Sequence, residues 1–330
     1  MSSPMQALVT GATGFVGGHL ARRLQRAGWG VQAMVRASSQ AGPLREMLGP
    51  EHVHVHDGTT ENLADVVRRT KPAIVFHLAS LYLAQHQAAD VSALIRSNVE
   101  FATQLAEAAA AQKVPHFVNT GTAWQHYRDE DFNPVNLYAA TKQAFASILR
   151  YYAESGALRV VNLELFDTLG PGDTRPKLFS ALRKAAQSGA TLAMSGGEQE
   201  IDLVYIDDVI DAYMAAALRL RQGGGSAFET FAVCSGQPRR LRDVVALWQR
   251  ITYQQVNISW GAKPYRPREP MTSWNRGVPV PGWRAGVGLE EGIRRMEGQI
   301  ADANRPGSEG SVEGAGKSDD FGESRKGAAR

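Results

Sequence analysis

The 330-residue chain predicts an α/β fold built on a doubly wound parallel sheet (a Rossmann fold), with a smaller interleaved C-terminal substrate domain. Three observations carry that reading. Strand-like and helix-like patterns alternate from Gln6 to about Phe166. A glycine-rich loop, Thr10-Gly11-Ala12-Thr13-Gly14-Phe15-Val16-Gly17, separates the first strand from the first helix. Far downstream, Tyr138 and Lys142 open a long amphipathic pattern that follows the strand end Thr120-Gly121-Thr122. Hydrophobic residues at 43% and charged residues at 21% give an ordinary globular balance, and the length allows a large core.

Gln6 to Thr10 reads as a buried strand and His19 to Ala27 as a helix with Leu20 and Leu24 facing inward. A glycine-rich turn between them aims backbone N–H groups and the positive helix end at a pyrophosphate. Gly11 permits the tight turn, Gly14 close backbone approach and Gly17 close helix packing, with Thr13, Phe15 and Val16 completing the loop. The spacing is G-x-x-G-x-x-G, and a turn of some other α/β protein is the competing reading. Val31 to Val35 is a second strand, ending at Arg36 and then Ala37-Ser38-Ser39. A free ribose 2′-OH calls for a carboxylate here and a 2′-phosphate for a cation, so Arg36 and Ser38 favour NADP(H) over NAD(H). The alternative is a solvated surface arginine.

Val53 to Gly58 alternates like a strand end. Asp57 either accepts from an adenine amino group or starts the turn into a helix near Glu61, and Gly58 follows it. Ala73 to Ser80 is another apolar strand, whose end at Leu78, Ala79 and Ser80 lets a cofactor pass close to the backbone. Ser92 to Ala111 is an alanine-rich helix, His116 to Thr122 a strand, and Tyr138 to Ala153 a helix amphipathic through Phe145, Ile148, Leu149 and Tyr152.

Tyr138 and Lys142 carry the chemistry. A free phenol has a pKa of about 10, so a tyrosine that protonates a carbonyl oxygen needs help near neutrality. A lysine one helical turn later presents its ammonium on the same face, lowers that pKa and can hold a nicotinamide ribose. A hydroxyl from the preceding strand end, Thr122, would bind the substrate oxygen. An ordinary helix-surface pair is the competing reading. Neither side chain is expected to be needed for packing.

Beyond Gly170 the pattern is less regular. Lys177 to Ser188 reads as a helix, Leu203 to Ile206 as a strand, Val209 to Arg221 and Leu241 to Ile251 as helices. Phe228 to Cys234 is a strand returned to the first domain. The expected division is residues 1–166 for dinucleotide binding, with returning segments near 203–234; 167–300 for substrate; and 301–330 as a disordered tail without apolar period. Trp260, Tyr265, Arg266, Arg268 and Trp274 combine aromatic faces with guanidinium groups suited to a phosphorylated ring, or else pack against the smaller domain.

With these motifs in order, the chain resembles an extended short-chain dehydrogenase/reductase of the NAD-dependent epimerase/dehydratase group, from about residue 5 to 300. The matching residues include the loop Thr10–Gly17, His77-Leu78-Ala79, Asn98-Val99, Tyr138 and Lys142, and Gly170-Pro171-Gly172-Asp173. Val204-Tyr205-Ile206-Asp207-Asp208-Val209 and Gly282-Trp283 with Leu289-Glu290-Glu291-Gly292-Ile293 follow. The resemblance implies Thr122, Tyr138 and Lys142 as the catalytic set, with Asn98 ordering the active-site backbone. It adds Asn98, Thr120 and Phe166 to the cofactor set and places Thr122, Ala123, Trp124, Asp167 and Lys177 toward a nucleotide-linked sugar. Relatives commonly dimerise through the catalytic helix and its predecessor, so a homodimer is expected.

Departures narrow the reaction. Ala123-Trp124 stand where sugar 4,6-dehydratases carry Asp-Glu, which argues against dehydration. Arg36 argues against the tightly held NAD of 4-epimerases. Reduction of a 4-keto sugar remains, and the stretches Asn119–Thr122 and Asn133–Tyr138 are similar to 4-ketoreductases that finish CDP-paratose and CDP-abequose. Many relatives have arginine where Glu164 stands and asparagine where Asp167 stands; both are read as either structural or functional. An ionised Asp167 near a diphosphate needs a cation such as Arg175 or Lys177 between them.

A net charge of +3 is too mild to argue for nucleic acid or membrane as partner. Lone Cys234 excludes an internal disulfide and reads as a small core residue. Neither a signal peptide nor a spanning segment is evident, which points to the cytoplasm. His52, His54 and His56 would lie in a row on one strand face, read as a solvated edge, so no metal is expected. Three functions stay open: an NADPH-dependent ketoreductase, an epimerase with bound cofactor, and a non-enzymatic NADP(H)-binding sensor, against which the intact Tyr138–Lys142 pair argues.

Overall fold

The structure, a computed structural model, describes residues 4–299. The expected tail from residue 301 lies outside the described residues. The first half runs β1 (Gln6–Thr10), α1 (Phe15–Arg26), β2 (Gly30–Arg36), α2 (Gly42–Leu48), β3 (Val53–His56), α3 (Thr60–Thr70) and β4 (Ile74–His77). It continues with α4 (Val91–Ile95), α5 (Phe101–Ala111), β5 (His116–Thr122), α6 (Leu137–Glu154) and β6 (Arg159–Leu165). Then come β7 (Asp167–Leu169), α7 (Leu178–Ser188), β8 (Leu192–Met194), β9 (Glu200–Ile201), β10 (Leu203–Tyr205) and α8 (Ile206–Arg221). The chain closes with β11 (Phe228–Val233), β12 (Arg239–Arg240), α9 (Leu241–Thr252), β13 (Ile258–Trp260) and α10 (Leu289–Met296).

Seven parallel strands form the central sheet in the order β11-β6-β5-β4-β1-β2-β3. Side chains alternate between its faces as a strand requires. Ala7, Val9, Ile74, Phe76, Val118 and Val161 join one buried cluster with α1 and α8. Leu8, Val75, Phe117 and Val160 join the other with α3, α5 and α6. This two-sided burial explains the near-continuous apolar runs of the strands. Strand order reverses between β1 and β4, so the crevice for a ligand opens where the glycine loop meets Leu78–Ser80.

The structure revises several boundaries. The α1 helix starts at Phe15 and α8 at Ile206, earlier than the apolar periods suggest, because their first turns face the loop and the neighbouring strands. The apolar strand from Ala73 leaves the sheet after His77, where Leu78 N donates to Thr10 O at 3.3 Å and Ala79 N to Thr10 Oγ1 at 3.2 Å. The expected helix Ser92–Ala111 runs on through a π turn at Arg96–Glu100, on which the buried Asn98 sits. Strand β10 pairs with β7 outside the central sheet, whereas β11 extends that sheet beside β6. The β3 strand is an edge as expected, but His52 lies in the short turn before it rather than in a row with His54 and His56, and all three are half-buried rather than solvated. His52 and His54 hydrogen-bond to Gln32, and His56 packs on Phe101.

Candidate active site

The loop between β1 and α1 is shaped by what a side chain would strike. Gly11 has φ +74°, and a Cβ there would lie 2.7 Å from Ala79 N at the end of β4. A Cβ on Gly17 would lie 2.2 Å from Gly11 O, so only glycine lets α1 close on the loop. Gly14 stands at the N-cap of α1, its own N–H turned back to Gly11 O at 2.9 Å, and with Thr13 exposed beside it no side chain caps the helix. This cradle fits a dinucleotide pyrophosphate. Gly11, Gly14, Phe15, Val16 and Gly17 border one cleft with Leu78 and Ser80.

The remaining expected cofactor residues are spread around that cradle. Arg36 and Ser38 are exposed at the C-terminal end of β2, in a turn closed by Ser39 N to Arg36 O at 2.9 Å. Asp57 does start the turn into α3: its Oδ1 accepts from Thr59 N at 2.9 Å and Thr59 Oγ1 at 2.7 Å, which holds its carboxyl below the usual range. Thr59 is the residue that caps α3, and Gly58 precedes it with φ +101°. Ala79 backs Gly11. Thr120 is engaged with Tyr213 across 2.6 Å, and Phe166 lines the cleft.

Asn98 has its amide committed elsewhere. Its Oδ1 accepts from Leu81 N at 2.7 Å, while Nδ2 donates to Leu81 O at 2.9 Å and to Thr141 Oγ1 at 3.0 Å. Asn98 ties the segment between Ser80 and Tyr82 to the first turns of α6.

Thr122 ends β5, and Tyr138 borders the same cleft at the start of α6, whose N-cap Asn136 accepts from Ala139 N at 2.9 Å. Thr122 Oγ1 accepts from Trp124 N at 3.3 Å, leaving its hydrogen for another acceptor. Burial pushes the Tyr138 phenol up, with Tyr82, 5.0 Å away ring to ring, acting the same way and Ser80 pulling against it. The sequence led us to expect a lowered value; burial outweighs the lowering contributions. Lys142 is 2% exposed, among the largest fully buried side chains, and burial draws its ammonium down to about 8. That corrects the expectation that it has no part in packing.

Ala123, Trp124, Asp167 and Lys177 also border the cleft. Burial works against the charge of Asp167, but Lys177 Nζ at 2.8 Å, helped by Arg175 and Arg266, holds its carboxyl below the usual range. Of the two cations the sequence named, Lys177 is the one that pairs directly with Asp167. Arg266 pairs with Glu269 and lies 5.0 Å over the Trp124 ring. Of the aromatic and basic C-terminal set, Arg266 and Trp274 reach the cleft. Arg268 instead bonds Asn133 and Pro134 O, and Tyr265 receives Glu198 N at 3.2 Å.

Tyr82 was missed by sequence reasoning, because the loop around it has no period to betray it. His126, lining the cleft, was missed as a partner of Glu164, since His126 lies in the turn after β5 and Glu164 on β6. Cys234 is half-buried and its thiol is pushed up, by burial first and by Asp202, as suits a packing residue. Among the described residues, no group of three or more His, Cys, Asp or Glu is placed to hold a metal, and no helix is long and apolar enough to cross a membrane.

The model of the NAD dependent epimerase/dehydratase family matches residues 7–230. The chain is 25% identical over 295 residues to the CDP-abequose synthase of Salmonella muenchen, covering 88% of this chain and 96% of that protein. It is 27% identical over 260 residues to the UDP-glucose 4-epimerase of Mycolicibacterium smegmatis, covering 73% and 82%. MoeE5 in complex with UDP-glucose and NAD superposes with a TM-score of 0.73 at 25% identity, over 88% of this chain and 97% of that one. UDP-glucose 4-epimerase from Brucella ovis in complex with NAD shares the fold, with a TM-score of 0.78 at 21% identity over 89% and 98%.

Proposed function

The chain belongs to the NAD dependent epimerase/dehydratase family, and from that membership we propose that it reduces a nucleotide-linked 4-keto-deoxysugar to the alcohol with NADPH. One observation carries the reading: Thr122 and Tyr138 border a single cleft with the glycine cradle, and Tyr138 keeps its proton there. When bound, the nicotinamide cofactor supplies the hydride. Gly11, Gly14 and Gly17 make room for its pyrophosphate, Arg36 and Ser38 suit its 2′-phosphate, and Lys142 its nicotinamide ribose.

Thr122 donates a hydrogen bond to the ketone oxygen, and Tyr138 transfers its phenolic proton to that oxygen as the carbon is reduced. Because burial favours the neutral phenol, the residue is in its donor form before substrate arrives. The Lys142 ammonium offsets charge left on the phenolate until solvent returns a proton. Lys177, Arg175 and Arg266 give the cleft cations for a diphosphate. The likeness to the CDP-abequose synthase, whose name denotes a finished deoxysugar, supports the same substrate class.

A redox-neutral epimerase would use the same residues, and the likeness to UDP-glucose 4-epimerase favours it as the second reading. Exposed apolar Val91 and Ile95 on α4 and Tyr151 on α6 support the homodimer proposed through the catalytic helix and its predecessor. The test is NADPH absorbance with a panel of CDP-, dTDP- and GDP-4-keto-6-deoxysugars. Multiple-turnover NADPH loss with one of them is expected, and no loss despite bound cofactor would transfer the weight to epimerisation. Equal rates with NADH would overturn the role of Arg36.

A further inference from the structure

Three residues of the cleft wall each keep a buried polar atom with no hydrogen-bond partner among the described residues: Trp274 its indole Nε1, Gln199 its amide Oε1, and His126 its Nδ1, which lies 3.9 Å from Asp131 Oδ1. Gln199 is 7% exposed, and its Nε2 donates to Ser195 Oγ at 3.1 Å, leaving the oxygen over. Gln199 and Trp274 belong to adjoining segments, since Glu200 N donates to Met271 O at 3.0 Å and Ser273 N to Glu200 Oε2 at 3.3 Å. One wall thus offers a donor that cannot accept and an acceptor left open beside it.

Trp274 is held in that position by two rings of the same cleft wall. Its indole stacks on His126 at 3.8 Å between ring centres and 12° between planes, and on Phe166 at 5.9 Å and 7°. His126 Nε2 is bonded to Glu164 Oε2 at 2.9 Å. The Glu164 side chain is only 4% exposed, and its other oxygen accepts from Gln125 Nε2 at 3.2 Å and Asn162 Nδ2 at 3.3 Å. Gly121 makes room for this network, because a Cβ there would lie 2.9 Å from Glu164 Cγ. A buried carboxylate is a poor source of stability compared with apolar packing. Here it fixes an imidazole, and the imidazole fixes an indole.

We propose that Trp274 Nε1 and Gln199 Oε1 form a specificity subsite for the hydroxyls of a sugar ring, with the Glu164–His126 pair as its positioning support. A hydroxyl both accepts and donates, so a polyol ring satisfies both atoms. The diphosphate bridge of a sugar nucleotide carries no proton at neutral pH to offer Gln199 Oε1 and would meet Glu200 on the same wall, and an aliphatic group satisfies neither. The subsite rests on the nucleotide-sugar reading of the cleft.

Calorimetric titration of the full chain with NADP+ present would compare CDP-glucose with CDP and UDP-glucose with UDP. The variants are Trp274→Phe, which keeps an aromatic ring in the stack and removes the N–H, and Gln199→Met, which keeps the length and removes the acceptor together with the Nε2 bond to Ser195 Oγ. In the wild type a sugar nucleotide is expected to bind more tightly than its nucleoside diphosphate. Each variant should cut that advantage about fivefold, the effect of one hydrogen bond, while nucleoside diphosphate affinity and thermal midpoint hold. An unchanged advantage in both variants, or equal losses for sugar nucleotide and nucleoside diphosphate, would overturn the subsite. Wild-type protein that binds a nucleoside diphosphate but gains nothing from the sugar also overturns it and leaves the nucleotide site standing. Binding of none of the four ligands removes the nucleotide-sugar reading and the subsite with it.

Discussion

Lys142 shows how far the chemistry of a single residue departs from its surface behaviour. Its ammonium is buried and titrates near 8 instead of 10.5. If the charged form is the working one, kcat/KM falls as pH rises through about 8, because that ratio reports the free enzyme. Lys142→Arg, which keeps its charge to higher pH, should move this limb upward; an unmoved limb would assign it to another group. Stability follows the opposite sense. Between about 8 and 10.5 the unfolded chain holds a proton that the folded chain has released, so the Lys142 contribution to stability rises with pH across that window. Lys142→Met should abolish turnover yet raise stability at pH 7 by about 1–4 kcal/mol, the range for replacing buried ions with apolar groups of similar volume. Thermal unfolding beside the activity assay checks this, and a lowered midpoint would count against the buried-charge account.

At the scale of elements, the π turn between α4 and α5 joins the Leu81 segment to the start of α6, where Tyr138 borders the cleft. Asn98 bonds both backbone groups of Leu81, and through Thr141, whose hydroxyl donates to Tyr138 O at 2.7 Å, it reaches the first turn of α6. Asn98→Leu keeps the volume but strips the Leu81 backbone of its partners. Stability should fall by about 1–3 kcal/mol, the range for an unsatisfied buried group, and kcat should fall with it. A variant with wild-type kcat would show that the Leu81 segment holds its place without Asn98. The sequence made much of this region legible and stopped at a definite point. Periodicity placed β1, β5 and α6, and the glycine spacing placed the loop, because those signals are local. The π turn escaped because Asn98 takes a partner seventeen positions away, at Leu81. Glu164 and His126 escaped for the same reason: β5 and β6 must pair before their ends meet. Arg175 and Lys177 were legible as needed cations, but only the fold decides that Lys177 takes Asp167.

For the whole molecule, the returning C-terminal run acts as a clasp across the chain's two halves. Ala232 N on β11 donates to Val278 O at 2.8 Å, which lays the run along the outer edge of the central sheet. Trp283 Nε1 then donates to Asp208 O at 2.9 Å, while the Asp208 carboxylate accepts from Gly286 N at 3.0 Å and Val287 N at 2.9 Å. Beyond α10, Glu297 accepts from Arg183 Nε at 3.0 Å on α7 and from Trp248 Nε1 at 2.9 Å on α9. Asp208 therefore fastens the run to α8, and Glu297 fastens it to α7 and α9. Asp208→Ala strands two N–H groups that share a buried carboxylate, and should cost about 2–3 kcal/mol, as hydrogen bonds to charged groups do. Glu297→Ala leaves the Trp248 indole unpaired and should cost a similar amount. If the run detaches as a unit, the second substitution costs less once the first is made, so the double variant falls short of the sum by at least about 0.5 kcal/mol. Denaturant unfolding of the four proteins measures this coupling. Strict additivity would mean that the two fastenings hold independent pieces, and that the cleft wall formed by Trp274 is supported from the catalytic side alone.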